Sequence, residues 1–212
     1  MQTVETTFAE SLREAGYATG IIGKWHQGYP HNSEDYRPAR HGFDEFIGYH
    51  SGNIDFVSHV GDHNRHDWWH GNKRVREDGY ATDLINRYAV KFIEQRRQQP
   101  FCLYVSHLDI HNPVQVRNDP VRRTEADGWK RWQPRDNAER IEKFKGMTLP
   151  IDEGVGQIRR TLIQLGIERK TMILFFSDNG ASGDFPSGSP KLRGRKGSVY
   201  EGGHKVPFIA WW

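Results

Sequence analysis

Asp178 and Asn179 stand side by side directly after the run Thr171 to Ser177, with Gly180 and Ala181 behind them. Such a pair, beside residues small enough for the backbone to come close, gives about three oxygen donors suited to a hard divalent cation, Ca2+ or Mg2+. The same Asp-Asn-Gly run is also ordinary Asx-turn chemistry. Two further polar clusters follow apolar runs in the same way. Lys24 and His26 come after Tyr17 to Ile22, and His107, Asp109, His111 and Asn112 come after Phe101 to Ser106. A lysine holds negative charge, and an imidazole with an ordinary pKa of about 6.5 serves as acid or base near neutrality. A fourth stretch, residues 183–203, is rich in glycine and carries Lys191, Arg193, Arg195 and Lys196, the composition of a loop that wraps an anion. It lacks the G-x-x-x-x-G-K-[ST] pattern of a nucleotide phosphate loop.

Each cluster needs a strand end to present it. Thr171 to Phe176 is short, β-branched and aromatic, and reads as a fully buried strand that opens into the polar turn; Tyr17 to Ile22 and Phe101 to Ser106 are apolar runs that end in polar residues in the same way. Thr7-Phe8-Ala9-Glu10 has capping-box form, Phe8, Leu12 and Ala15 follow at helical spacing, and Gly16 sits where a helix stops. That helix feeds the first strand. Asp78 to Gln95 carries a wide apolar stripe through Leu84, Ile85, Tyr88, Ala89, Phe92 and Ile93, and precedes the second. Ile151, Val155, Ile158, Leu162 and Leu165 mark a helix ended by Gly166 before the third, with Pro150 tolerable as its first residue or as a kink. A last short strand is expected over Val206 to Trp211. Helix then strand, repeated, is the rhythm of an α/β fold with a mainly parallel central sheet flanked by helices. If those strands lie parallel in one sheet, their polar ends share one crevice outside its carboxyl edge.

Two stretches break the rhythm. Residues 28–79 lose periodicity and read as an irregular insert, functional or disordered rather than core. Within it His63, His66 and His70 recur at the spacing of metal ligands on one helical face, or of side chains that merely line a pocket. Trp68 and Trp69 could stack on a sugar or base, or plug the loop onto the domain. Residues 114–145 are dense in both signs of charge, with Trp129 and Trp132 among Lys and Arg. The interspersed Asp and Glu favour a solvated surface segment over a nucleic-acid face.

Composition narrows the classes further. Against 27 Asp and Glu stand 30 Lys and Arg, a formal net charge of +3 that favours anionic ligands without requiring nucleic acid. Only 35% of the 212 residues are hydrophobic and the mean hydropathy is -0.82, polar enough to fit a piece lacking part of its core. No apolar run is long enough to span a bilayer, and residues 1–15 carry no signal-peptide pattern. Cys102, the single cysteine, lies inside an expected strand, so neither a disulfide nor a Cys-based zinc site can form within the chain.

Taken in order, TFAESLREAGYATGIIGKWHQG, HGFDEFIGY, GYATDLINRYAVKFIE with PFCLYVS and His111-Asn112-Pro113, FFSDNGAS, and LRGRKGSVYEGGHKVPFIAWW resemble the formylglycine-dependent sulfatases of the alkaline phosphatase superfamily. The matches are colinear and cover most of the chain. The resemblance implies that residues 1–212 are the central part of a sulfatase catalytic domain. It implies a sulfuric ester hydrolase whose partner is a sulfate ester, of carbohydrate if the Trp and His loop meets a sugar. Lys24 and Lys196 then correspond to the two lysines that grip the sulfate, and His26 to the histidine that hydrogen-bonds the nucleophile's hydroxyl. His111 corresponds to the histidine near the leaving-group oxygen, and Asp178 and Asn179 to the later pair of metal ligands, with Ca2+ or Mg2+ as the cation. Export to the periplasm or the medium is implied for the longer parent.

The resemblance has gaps. The family's Cys-x-(Pro/Ala)-x-Arg motif, whose Cys or Ser becomes formylglycine, has no match, since Cys102 is followed by Leu-Tyr-Val-Ser. The early Asp pair of the metal shell has none either. Both are expected in a missing amino-terminal segment, with a smaller carboxyl-terminal domain missing as well, so the 212 residues alone should bind the cation weakly and hydrolyse nothing. Two other readings stay open: a phosphodiester or phosphonate hydrolase of the same superfamily, and a non-catalytic binder of sulfated or phosphorylated polymers. Oligomeric state is not fixed by the sequence.

Overall fold

A computed structural model of the chain describes residues 4–130, 133–182 and 191–212. Trp132 and the first part of the glycine-rich basic stretch, residues 183–190, lie outside them. The elements run α1 (Phe8–Glu14), β1 (Ala18–Lys24), β2 (Glu45–Tyr49), β3 (Trp69–His70), β4 (Lys73–Arg74), α2 (Ala81–Arg96) and β5 (Phe101–Ser106). There follow β6 (Arg123–Thr124), β7 (Gly128–Trp129), α3 (Asn137–Gln164), β8 (Ile173–Phe176), α4 (Glu201–His204) and β9 (Phe208–Trp211).

The capping box at Thr7 forms in full. The Thr7 hydroxyl accepts from the Glu10 N–H at 3.1 Å while the Glu10 carboxylate accepts from the Thr7 N–H at 2.8 Å, which satisfies two helix-end donors at once. The chain then turns into β1, the axis of a five-stranded sheet in the order β4-β3-β2-β1-β5. β1 pairs parallel with β2 and with β5, and only the short β3 and β4 run antiparallel. Adjacent residues of β1 face opposite ways, as the two-residue period of a strand requires. Ile21 packs with Ala9, Phe43 and Phe46 on the α1 side, and Ile22 with Ile54, Phe56, Leu84 and Ile85 on the α2 side. Both faces are therefore covered, the arrangement a parallel sheet demands.

The structure departs from the sequence-based expectations in four places. Residues 28–79 are not an insert outside the core: they contain β2, and Tyr49, Ile54, Phe56 and Trp68 are all fully buried. Their order comes from polar ties to the charged segment. The Asp55 carboxylate accepts from the Arg122 and Arg123 N–H groups at 2.6 and 2.9 Å, and the Phe56 N–H donates to Gln115 Oε1 at 2.8 Å. Residues 114–145 are correspondingly more than a solvated surface, since Gln115 and Arg123 are buried.

The third helix starts well before Pro150. Asp136 caps it through the Glu139 N–H at 2.8 Å, and Ile141, Phe144 and Met147 carry the apolar spacing forward. Pro150 thus sits inside α3, where it lacks an N–H for the helix ladder. Its carbonyl instead accepts from Asn86 Nδ2 of α2 at 2.8 Å, which fastens the two helices together. Finally, β8 is not a fully buried member of the central sheet. It pairs antiparallel with β9, and Leu174, Phe176 and Phe208 are 49%, 49% and 61% exposed because β9 is its only ladder partner among the described residues.

Candidate functional site

Lys24 is the last residue of β1, and Trp25 behind it is locked on both sides. The Trp25 backbone N–H donates to the Tyr49 carbonyl at 2.9 Å, and its indole N–H to the Tyr36 carbonyl at 2.8 Å. His26 then adopts φ +49°, a left-handed conformation that a non-glycine residue takes only at a cost of about 1 kcal/mol. Its ring lies on Gly52, where a Cβ would come within 2.7 Å of His26 Nε2. The Gly52 N–H donates to Asp62 Oδ2 at 2.9 Å, and the Tyr29 hydroxyl donates to the same oxygen at 3.2 Å.

The loop after β5 divides its residues between structure and site. His107 is withdrawn from the crevice: Nε2 lies 2.8 Å from Asn86 Oδ1, and burial pushes its pKa down to about 4. Asp109 is half-buried, accepts hydrogen bonds from the Thr82 and Tyr80 hydroxyls, and is pushed up to about 7 by desolvation. These two residues pin the loop that presents half-buried His111. The His111 Nδ1–H donates to the Asn112 carbonyl at 3.0 Å, which leaves Nε2 as the nitrogen that takes or gives a proton.

Asp178 and Asn179 form the turn after β8. The Ser177 hydroxyl donates to the Asn179 carbonyl at 2.9 Å, the Gly180 N–H to the Gly203 carbonyl at 2.9 Å, and the Lys196 N–H to the Ala181 carbonyl at 3.0 Å. The turn and the Lys196 loop are therefore one unit, tied through Gly180. A Cβ at Gly180 would stand 1.9 Å from the Gly202 carbonyl oxygen, a backbone atom that cannot yield cheaply. Gly180→Ala should displace Lys196 from Asp178, and the inorganic sulfate affinity of the protein should fall at least tenfold by calorimetry; an unchanged affinity would separate this turn from anion binding.

Although β8 stands outside the five-stranded ladder, Asp178 at its end lies within electrostatic reach of Lys24 at the end of β1 and of His111 after β5. Burial lowers the pKa of Lys24; Asp178 and Asp62 raise it, and Lys196 lowers it. His26 is lowered by burial and by Lys24 and Lys196, against the pull of Asp62. His111 is lowered by burial, Lys24 and Lys196, and raised by its bond to the Asn112 carbonyl and by Asp178. The charges of Asp178 and Lys196 thus reach Lys24 and His111, and those of Lys24 and Lys196 reach His26, with Asn179 next to Asp178 in the chain. Two ammonium groups, two imidazoles kept mostly neutral near pH 7 and a pair of oxygen donors suit an anionic ester. Asp178 and Asn179 are hard ligands of the right kind for Ca2+, but among the described residues no group of three or more His, Cys, Asp or Glu gathers for a metal. They fit as part of a shell that for Ca2+ needs about six to eight oxygens.

His63, His66 and His70 do not share a face, because residues 63–70 are turn and strand rather than helix. His66 lies between the Ser58 and Val75 carbonyls at 3.2 and 2.6 Å, His70 meets Glu77 at 3.2 Å, and His63 packs with Tyr29 and His31. Nor do the tryptophans offer a platform. Trp68 is fully buried with its N–H on Glu77, and the Arg37 and Arg74 guanidinium groups lie over the Trp69 ring. Asp62 and Tyr29 join the site without a sequence signal, since neither sits at a strand end or within a stretch that resembles the sulfatases.

A family model described as Sulfatase matches residues 2–212. The chain belongs to the sulfatase family. Among curated relatives, the arylsulfatase of Hemicentrotus pulcherrimus is 30% identical over 228 residues, covering 98% of this chain and 38% of the relative. The N-acetylgalactosamine-6-sulfatase of Homo sapiens is 30% identical over 225 residues, covering 98% and 40%. The solved structure of Ps i-CgsB in complex with k-i-k-neocarrahexaose shares the fold with a TM-score of 0.81 at 28% identity, covering all of this chain and 48% of that one. This sulfatase chain therefore spans about two fifths of the length of the curated relatives it matches. Its mainly parallel, helix-flanked sheet is part of the alkaline-phosphatase-like architecture those structures share.

Proposed function

We propose that the protein hydrolyses sulfate esters of carbohydrates and that this chain supplies the anion-holding half of the chemistry. The observation that supports the reading is the electrostatic reach of Lys24 and Lys196 to both His26 and His111, with the Lys196 N–H bonded to the Ala181 carbonyl behind the Asp178 turn. The carbohydrate part draws support from the relatives' names and from the neocarrahexaose in the related structure.

A sulfate monoester carries charge that must be held, and its bridging oxygen grows more negative as the bond to sulfur breaks. Lys24 and Lys196 hold the non-bridging oxygens, where fixed positive groups stabilise growing charge without reorganising. His111, kept neutral by burial and the two lysines, gains basicity once the anion neutralises them, and so serves as the proton source for the departing oxygen. His26 would hydrogen-bond the nucleophile's hydroxyl. Asp178 and Asn179 would hold Ca2+, or Mg2+, which when bound adds Lewis-acid stabilisation of an ester oxygen. The motif that yields the family's formylglycine has no match in these 212 positions and belongs, in this reading, to the rest of the protein. Export of the whole protein is part of the same proposal and rests on family analogy.

The test compares an aryl sulfate with the matching aryl phosphate, using the full-length product of the gene. Turnover of the sulfate at least a hundredfold above the phosphate is expected. A preference for the phosphate or phosphodiester would overturn the sulfatase reading, and sulfate binding without turnover of any ester would make the protein a binder of sulfated polymers.

A further inference from the structure

Beside Lys24 and His26, three rings from separate parts of the loops meet at the surface. Ring centroids lie 5.2 Å apart for Tyr29 and His31, 5.3 Å for Tyr29 and His63, and 5.5 Å for His31 and His63. His31 and His63 are exposed and Tyr29 is half-buried, so the group is no part of either core cluster. Gathering three semi-polar rings in water buries little apolar area and restricts several side chains, a poor exchange for stability alone.

The cluster is also tied to a fixed acid. Asp62 Oδ2 accepts from the Gly52 N–H and the Tyr29 hydroxyl, and Oδ1 lies 3.6 Å from Nη1 of buried Arg123. Asp62 is itself partly exposed, at 30% for the side chain, and its charge reaches both Lys24 and His26. Aromatic faces next to an oriented carboxylate are what a pyranose ring needs: C–H groups against the rings, hydroxyls donating to the acid.

We propose that Tyr29, His31, His63 and Asp62 form the subsite for the sugar ring that bears the ester. This rests on the sulfatase reading of the neighbouring lysines and extends it to substrate class. The partly exposed Asp62 carboxylate would repel a second sulfate or a uronic carboxylate placed against it, so the sugar ring bound there carries no other anionic group on that edge. The sugar platform is thus this cluster and not the Trp68-Trp69 pair.

Calorimetry on the full-length protein with galactose 6-sulfate and, separately, sodium sulfate tests the subsite. For the unaltered protein the sugar sulfate should bind at least tenfold more tightly than the ion. Tyr29→Ala should lose about tenfold of the sugar-sulfate affinity and His63→Ala about fivefold, and in His63→Ala the sulfate-ion affinity should move by less than twofold, which reports an intact fold. If the Tyr29→Ala/His63→Ala double variant binds galactose 6-sulfate as the unaltered protein does, or the sugar adds nothing over the ion, the subsite is refuted while the anion site stands. Failure of both probes on the unaltered protein would instead remove the anion site, and the subsite with it.

Discussion

Lys24→Ala in the full-length protein is expected to lower kcat/KM for a sulfate ester by about a hundredfold, on the order of 3 kcal/mol of lost transition-state stabilisation, and Lys196→Ala to cost about as much. The size follows from placement. Lys24 is partly withdrawn from solvent at the end of β1 and faces Asp178 and Lys196, so its charge is screened less than that of an exposed lysine. Lys196 is exposed, but its backbone N–H is bonded to the Ala181 carbonyl beside the Asp178 turn, which fixes where its side chain starts. Lys205, exposed and 3.9 Å from Glu201, is the control and should change turnover by less than twofold on replacement by alanine. A second readout separates a charge effect from a loss of packing. Lys24 disfavours the protonated forms of His26 and His111, so its removal should raise both pKa values and move the acidic limb of the pH profile upward. Near-normal turnover in both lysine variants, with an unmoved profile, would mean that neither ammonium holds the ester's charge.

Why the lysines are legible in sequence and Asp62 is not has a physical answer. A strand that ends in polar residues announces itself by its apolar run, and β1 and β5 begin and end close to where the residue types place them. The capping box at Thr7 is local chemistry and needs no tertiary context. The ties that order residues 28–79 are long-range hydrogen bonds from Asp55 and Gln115 to partners about sixty residues away, and no local period encodes those. Asp62 and Tyr29 reach the crevice only because that region folds back onto it. The start of α3 is obscured for the opposite reason. Its charged residues hide an apolar spacing through Ile141, Phe144 and Met147, and Pro150 looks like a boundary because the Asn86 side chain that accommodates its carbonyl comes from another helix. The polar strand ends still point to the site even though β8 lies in its own ladder, since what places Lys196 beside Asp178 is the Gly180 to Gly203 contact rather than membership of one sheet.

The same buried network makes stability strongly dependent on pH. Burial depresses His59 and His107 to about 4, and lowers His50 in the same way although Asp67 pulls against it. Unfolded histidines titrate at about 6.5, so from there down to about pH 4 the unfolded chain binds more protons than the folded one. The stability these groups contribute is complete above about pH 6.5 and is lost as pH falls through the folded-state values, with about 3 kcal/mol at stake for each of His59 and His107. Asp109 works in the other direction: raised to about 7, it favours the fold most below the ordinary carboxylate range and loses that contribution as pH rises. One carboxyl against three imidazoles leaves a net loss in acid. Set against a typical total of about 5–15 kcal/mol, that loss removes a large share of the stability between about pH 7 and 4. The urea midpoint, read from tryptophan fluorescence because His59 stacks on Trp68 at 4.9 Å, should therefore fall steeply from pH 7 to 5. His107→Gln can still donate to Asn86 Oδ1 but cannot titrate, so it should flatten that slope. Asp109→Asn removes the opposing contribution, and should raise the midpoint at pH 8 and steepen the fall below it. A midpoint that stays level from pH 7 to 5 in the unaltered protein would mean that these histidines are not held neutral by the fold.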